Sequence, residues 1–197
     1  ETLSIALDAL QIERLLGYLR LLATWNRAYN LTAVRDPLEH VGRHLLDSLS
    51  VVSHIHGQHV LDVGTGAGLP GLPLSIALPD KRWYLLDSNG KRVRFLTQCV
   101  LELQLSNVVV VHSRVENWKA PATLDVIISR AFSSLGDMVR ACDGNTGVET
   151  SLLAMKARID EKEVSALPRG YGVEGVIALK VPGSAADRQL VVVKRSN

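Results

Sequence analysis

Residues 59–78, HVLDVGTGAGLPGLPLSIAL, limit what this chain can fold into more than any other stretch. A short apolar run at 60–63 carries a single acid, Asp62. Glycines follow at 64, 66, 68 and 71, and then an apolar segment able to start a helix. Strand, glycine-rich turn and helix in that order let backbone N–H groups approach a bound ligand with no Cβ in the way. Gly66-Ala67-Gly68-Leu69-Pro70-Gly71 fits GxGxxG, so a dinucleotide site is one reading, although that pattern alone discriminates poorly.

The rest of the chain fits around this unit. The periodicity predicts strands over 59–63, 82–87, 107–112, 124–129, 151–156, 173–181 and 188–195, and helices over 71–78, 91–104, 134–142 and 159–166. The first four strands each lead into a turn and a helical pattern, as parallel βαβ units do. The last two are joined through Pro182-Gly183-Ser184 and neighbours, too short for a crossover helix, so they must pair antiparallel. The expected fold is therefore α/β: a doubly wound, seven-stranded, mostly parallel, Rossmann-like sheet.

Ahead of it, Leu15, Leu19, Leu22, Trp25 and Tyr29 form one helical stripe that Asn30 and Thr32 interrupt. Asp36-Pro37-Leu38-Glu39 reads as a second helix start, with Asp36 as N-cap and Glu39 closing a capping box. Leu38, Val41, Leu45, Leu49 and Val52 would be its buried face. Residues 1–56 are thus expected to form a helical cap, and 57–197 the core.

A net charge of +2 does not by itself point to nucleic acid. Cys99 and Cys142 form no CxxC pair and read as small buried residues in a reducing compartment. The uncharged run 63–79 holds four glycines and three prolines and is no membrane helix. The first residues lack a basic segment followed by an apolar core. A soluble, cytoplasmic, monomeric protein is expected.

The acids sharpen the ligand. A carboxylate at Asp62, two residues before Gly64, would repel a pyrophosphate. It suits the positively charged end of S-adenosylmethionine, through the ammonium or through water. Asp87 ends the next strand, where an acid can take the ribose hydroxyls of an adenosine group.

Several runs together carry a family resemblance: WNRAYNLT at 25–32, RHLLDS at 43–48, DVGTGAGLPG at 62–71, LLDS at 85–88, KRVRFL at 91–96, SRVE at 113–116 and ISRA at 128–131. With them the chain resembles the RsmG (GidB) family of class I methyltransferases, closely over residues 20–135 and more loosely beyond. It departs from the family pattern at 142–158, where Ala157 follows Lys156 in place of a glycine. The resemblance implies transfer of a methyl group from S-adenosylmethionine to N7 of guanine 527 of 16S rRNA, in the small ribosomal subunit or a precursor. It also implies cofactor contacts at Gly64, Leu69, Val115, Glu116 and Arg130. Asp62, Thr65, Gly66 and Asp87 complete the expected cofactor set, and Arg130 is the expected catalytic residue, holding the methionine carboxylate or an RNA phosphate.

The acceptor chemistry is compatible. Guanine N7 carries an in-plane lone pair and loses no proton, so neither a general base nor a nucleophilic cysteine is required. The chain has no Asn/Asp-Pro-Pro-aromatic run of an adenine N6 methylase and no cysteine placed as in cytosine C5 methylases. For RNA, Lys91, Arg92 and Arg114 are the expected contacts. A basic rim is expected to draw on these and on Lys81, Arg82, Arg94, Arg130, Lys156 and Arg158. Phe132 or Tyr29 could stack a base. His40, His44 and Asp47 have a spacing that zinc could use, but no further ligand set accompanies them, so no metal is expected. Two other functions stay open at this point: a methylase of a small molecule or protein, and a non-catalytic nucleotide-binding module.

Overall fold

A computed structural model describes residue 3 and residues 5–34, 36–130, 132–183 and 187–196. The chain opens with α1 (Ala9–Tyr29). Asp8 caps it by accepting the Gln11 N–H at 2.7 Å, and the Gln11 side chain returns to the Asp8 N–H at 2.9 Å. Leu15, Tyr18, Leu22 and Asn26 make its buried face, and Asn30 ends it with a left-handed φ of 51°.

Next come α2 (Pro37–His40), a π-helical segment (Val41–Leu46) and α3 (Asp47–Leu49). The continuous α-helical face expected here does not form. A π turn holds more residues than an α turn, so it rotates the stripe. Leu45 and Leu49 are buried while Val41 is left 43% exposed. Glu39 turns its carboxylate to Arg43 at 2.9 Å. The expected buried side chain of Leu38 lies outside the described residues.

The α/β part follows in order: β1 (His59–Val63), α4 (Gly71–Ala77), β2 (Arg82–Asp87), α5 (Gly90–Glu102), β3 (Val108–His112), β4 (Val126–Ser129), α6 (Leu135–Cys142), β5 (Ser151–Lys156), α7 (Glu161–Ser165), β6 (Tyr171–Ala178) and β7 (Gln189–Arg195). The sheet runs β3-β2-β1-β4-β5-β7-β6. The first five strands are parallel, and β7 runs antiparallel to both β5 and β6. This is the expected doubly wound, seven-stranded, mostly parallel α/β sheet.

Strand alternation sends side chains to two cores. Val60, Trp83 and Leu85 face a layer containing Leu15, Tyr18 and Leu22 of α1 together with Leu72, Phe95 and Leu96. Leu61, Val63, Tyr84 and Leu86 face the opposite layer with Leu135, Met138 and Val139. The N-terminal helix therefore shares a core with α4 and α5. Strand order reverses between β1 and β4, and such a switch point opens a crevice at the carboxyl ends of the strands.

Candidate active site

The turn after β1 is held by short-range bonds. Gly64 and Gly66 take φ of 67° and 62°, a region that L side chains avoid. This bends the chain so that the Gly64 N–H donates to the Leu86 carbonyl at 2.8 Å and the Gly66 N–H to Asp87 Oδ2 at 2.9 Å. An added Cβ at Gly66 would meet nothing closer than the Gly64 carbonyl at 3.9 Å, so here the cleft floor is bare backbone.

Asp62 is placed differently from the expectation. Its side chain is fully buried beneath the turn, where Oδ2 accepts the Thr65 hydroxyl at 2.6 Å and the Gly71 N–H at 2.8 Å. Oδ1 has no partner among the described residues. Burial pushes the carboxyl up to about 6, against the pull of those two hydrogen bonds. Through those two bonds Asp62 braces the turn from beneath, with Oδ1 left as an acceptor that a cation or water would satisfy.

Asp87 ends β2 as expected, but three donors already occupy it. Oδ2 accepts Gly66 N–H and faces Arg92 Nη1 at 3.4 Å, and Oδ1 accepts Asn89 N–H at 2.8 Å. A carboxylate offers about four acceptor positions, which leaves one for a ribose hydroxyl.

Two cavities meet at Gly64. One, of about 200 Å³, is walled by Val115, Glu116, Arg114 and Phe132. The other, of about 190 Å³, is walled by Thr65, Gly66, Leu69, Arg92, Thr32 and Arg130. An elongated ligand with an aromatic end and a polar end fits this pair. Every expected cofactor residue except Asp62 and Asp87 lines one of them, and those two support the floor from below.

Beyond Arg130 the cap closes over the mouth. Asp47, 3% exposed, accepts Arg130 Nη1 at 2.9 Å through Oδ2 and Arg188 Nε at 2.9 Å through Oδ1. His44 bonds the Thr32 hydroxyl at 3.0 Å and sits against the Arg43 carbonyl at 3.0 Å. Burial first, then the Arg130 charge, lowers its pKa to about 4, so it is neutral at pH 7. Asn26 spans the loop, donating to the Val34 carbonyl at 3.2 Å and accepting Thr32 N–H at 2.9 Å. Tyr18 donates its hydroxyl to the Ala67 carbonyl at 2.8 Å, tying α1 to the glycine turn.

The model of the family described as rRNA small subunit methyltransferase G (GidB) matches residues 11–191. The chain belongs to this family. A ribosomal RNA small subunit methyltransferase G of Pseudomonas paraeruginosa is 53% identical over 197 residues, covering 100% of this chain and 92% of that one. The protein of the same name from Hahella chejuensis is 46% identical, covering 100% and 90%. Among solved structures, a SAM-dependent methyltransferase from Aquifex aeolicus shares the fold, with TM-score 0.58, 23% identity, and 82% and 94% of the two chains covered.

The runs that signalled the GidB family converge in space. WNRAYNLT and RHLLDS supply the cap that meets Arg130 of the ISRA run at the mouth, Ala131 lying outside the described residues. The expected basic rim is thinner than its composition suggested. Lys81 and Arg82 start β2, at the opposite end of the sheet, and donate to the Gly57 and Ser106 carbonyls. Lys156 is spent on Glu163 and on the Ser133 carbonyl. Arg92 leans on Asp87 and walls the cofactor cleft. Lys91 and Arg114 remain exposed near strand ends. Tyr29 stacks on Trp25 at 5.1 Å. Arg188 was not anticipated. It precedes the last strand, and no spacing relates it to positions 47 or 130.

Proposed function

We propose that this protein binds S-adenosylmethionine and methylates N7 of guanine 527 in 16S rRNA, within the small ribosomal subunit or a precursor. The observation that carries the reading is the family match over residues 11–191, joined to a two-ended cleft at the switch point with Arg130 at its boundary. Supporting it, Asp62 Oδ1 is a buried acceptor without a partner among the described residues, and the bare backbone at Gly66 leaves room against the floor.

In the bound state the cofactor supplies an electrophilic methyl on a sulfonium. Val115 and Glu116 would hold the adenine end, Asp87 the ribose, and Thr65, Gly66 and Leu69 the methionine end. Arg130 borders both this cleft and the mouth, so it aligns donor and acceptor. An in-line displacement gains mainly from such alignment, up to roughly 7–11 kcal/mol. The bound cofactor would supply its methyl group to the N7 lone pair, a transfer for which the residues here need only hold donor and acceptor in line. No proton is abstracted, which accords with a neutral His44 already bonded to Thr32. Both cysteines are buried, and burial pushes the Cys142 thiol up to about 12. Lys91, Arg92 and Arg114 contact RNA phosphates. Residues 1–56 act as cap and 57–197 as catalytic core, in a cytoplasmic monomer. No helix among the described residues is long and apolar enough to cross a membrane.

The test is to map N7-methylguanine in 16S rRNA from cells lacking this protein. Loss at position 527 alone, restored by the purified protein with S-adenosylmethionine, is expected. Persistence there, or loss elsewhere, would sink the reading.

A further inference from the structure

The mouth cavity, about 330 Å³, is distinct from the cofactor cleft. It lies between Val34, His44 and Asp47 of the cap and Arg130, Met155 and Arg188 of the sheet. Resting on the methyltransferase reading, we propose that it is the acceptor subsite. It receives one purine nucleotide extruded from the RNA, with Arg188 as a substrate-contacting residue and Asp47 as the residue that positions it.

Location comes first. Arg130 lines both this cavity and the methionine end of the cleft, so an occupant sits one side chain away from the methyl donor. A base held within a duplex cannot reach such a place, whereas an extruded one can. The volume falls in the range of small-ligand sites.

Charge comes second. Two of the lining cations are matched by carboxylates of their own: Arg43 by Glu39 at 2.9 Å, and Lys156 by Glu163. Asp47 is one carboxylate shared between two guanidiniums, and His44 is neutral. Among the described residues these pairs leave one positive charge uncompensated, the complement of a single phosphodiester.

Geometry comes third. Asp47 engages only Nη1 of Arg130 and only Nε of Arg188, while Arg188 Nη1 also donates to the Asp187 carbonyl. A guanidinium has five N–H donors, so each keeps several for a ligand. A guanidinium fork matches the oxygens of a phosphate, which leaves the N7 lone pair of the base free for the methyl group. Val34 and Met155 offer apolar contact for a base. Asp47 therefore fixes two forks from distant parts of the chain at one place.

The experiment has two arms, both with the full chain. In the first, guanosine 5′-monophosphate is titrated into protein saturated with S-adenosylhomocysteine. Arg188→Ala is expected to weaken nucleotide binding about tenfold, while S-adenosylmethionine affinity by calorimetry moves less than about twofold. In the second, small ribosomal subunits from cells lacking the enzyme are methylated. Arg188→Ala should lower kcat/KM by roughly a hundredfold. Arg188→Lys keeps the charge without the fork and should restore KM for the subunit but not kcat. Asp47→Asn, checked for folding by its melting curve, should lower kcat more than it raises KM. Unchanged nucleotide affinity in Arg188→Ala, or an equal loss of cofactor affinity, overturns the subsite. Inactive wild-type protein would instead overturn the methyltransferase reading, and the nucleotide arm would still decide the subsite.

Discussion

The glycine turn binds itself together across 3, 9 and 21 positions of sequence, through Asp62 to Thr65, Asp62 to Gly71 and Asp87 to Gly66. The mouth is joined across 83 and 141 positions, through Asp47 to Arg130 and Asp47 to Arg188. Beneath the turn Asp62, Thr65 and Gly71 are buried, while Gly64 and Gly66 present backbone to the cleft. The mouth is half open, with both arginine side chains about 30% exposed. A local, buried device fixes the shape of the cofactor floor whatever the rest of the chain does. A non-local, partly exposed device exists only when cap and sheet have already docked.

The largest effect should come from the buried side. Gly71→Ala would put a Cβ 2.3 Å from Leu85 Cδ2 and 2.6 Å from Asp62 Oδ2. Loss of about 3 kcal/mol or more of stability in urea unfolding is expected, with cofactor affinity falling alongside. Stability within about 0.5 kcal/mol of wild type would show the turn to be softer than its contacts imply. Arg130→Ala tests the open side. Turnover should fall about a hundredfold with only a small change in melting temperature. Unchanged activity removes Arg130 from the site.

Acid should separate the two regions in sign. Asp62 has a folded pKa near 6, above its ordinary 3.8, so its contribution to stability is complete below 3.8 and is lost as pH rises through 6. His44 has a folded pKa near 4, below its ordinary 6.5, so its contribution is complete above 6.5 and is lost as pH falls through 4. Between pH 4 and 6.5 the two oppose each other. Asp62→Asn should therefore make stability fall more steeply on acidification across that window, by an amount on the order of 2 kcal/mol, while His44→Gln should flatten or reverse the fall. Chemical denaturation at stepped pH reads both, and identical slopes in all three proteins would refute the contrast. The smallest effect belongs to the rim. If Lys91 touches one phosphate, Lys91→Ala should weaken RNA binding evenly across sequences and reduce the salt slope by about 0.7–0.9. No change in slope would take it out of the RNA path.

The strands and most helices from residue 59 onward were legible because period-2 runs alternate with helical stripes, and the bounds of those that form differ by a few residues at most; the exception is β3, which leads into a single 3-10 turn at Val115–Asn117 and not into the expected helix. The short connection near residues 182–184 likewise signalled the antiparallel pair. The π segment at Val41–Leu46 was not legible. Apolar spacing cannot distinguish an α turn from a wider one that its neighbours stabilise, and Val41 consequently moved to the surface. The roles of the acids were half legible. Asp87 ends its strand as expected while Asp62 lies buried beneath the turn, and the lone pairs of both go largely to the turn itself, since a tight glycine bend leaves backbone N–H groups that need acceptors. The basic rim was over-read because Lys81 and Arg82 begin a strand whose other end carries the site.

The sequence alone determined the turn after β1, because strand, glycine bend and helix are neighbours within one βαβ unit, and the family, because its runs stand in order along residues 25–131. Only tertiary structure decided that one buried carboxylate, Asp47, gathers Arg130 and Arg188 at the mouth. Buried charge demands a partner, and which cation supplies it depends on how cap and sheet dock rather than on any spacing in the chain.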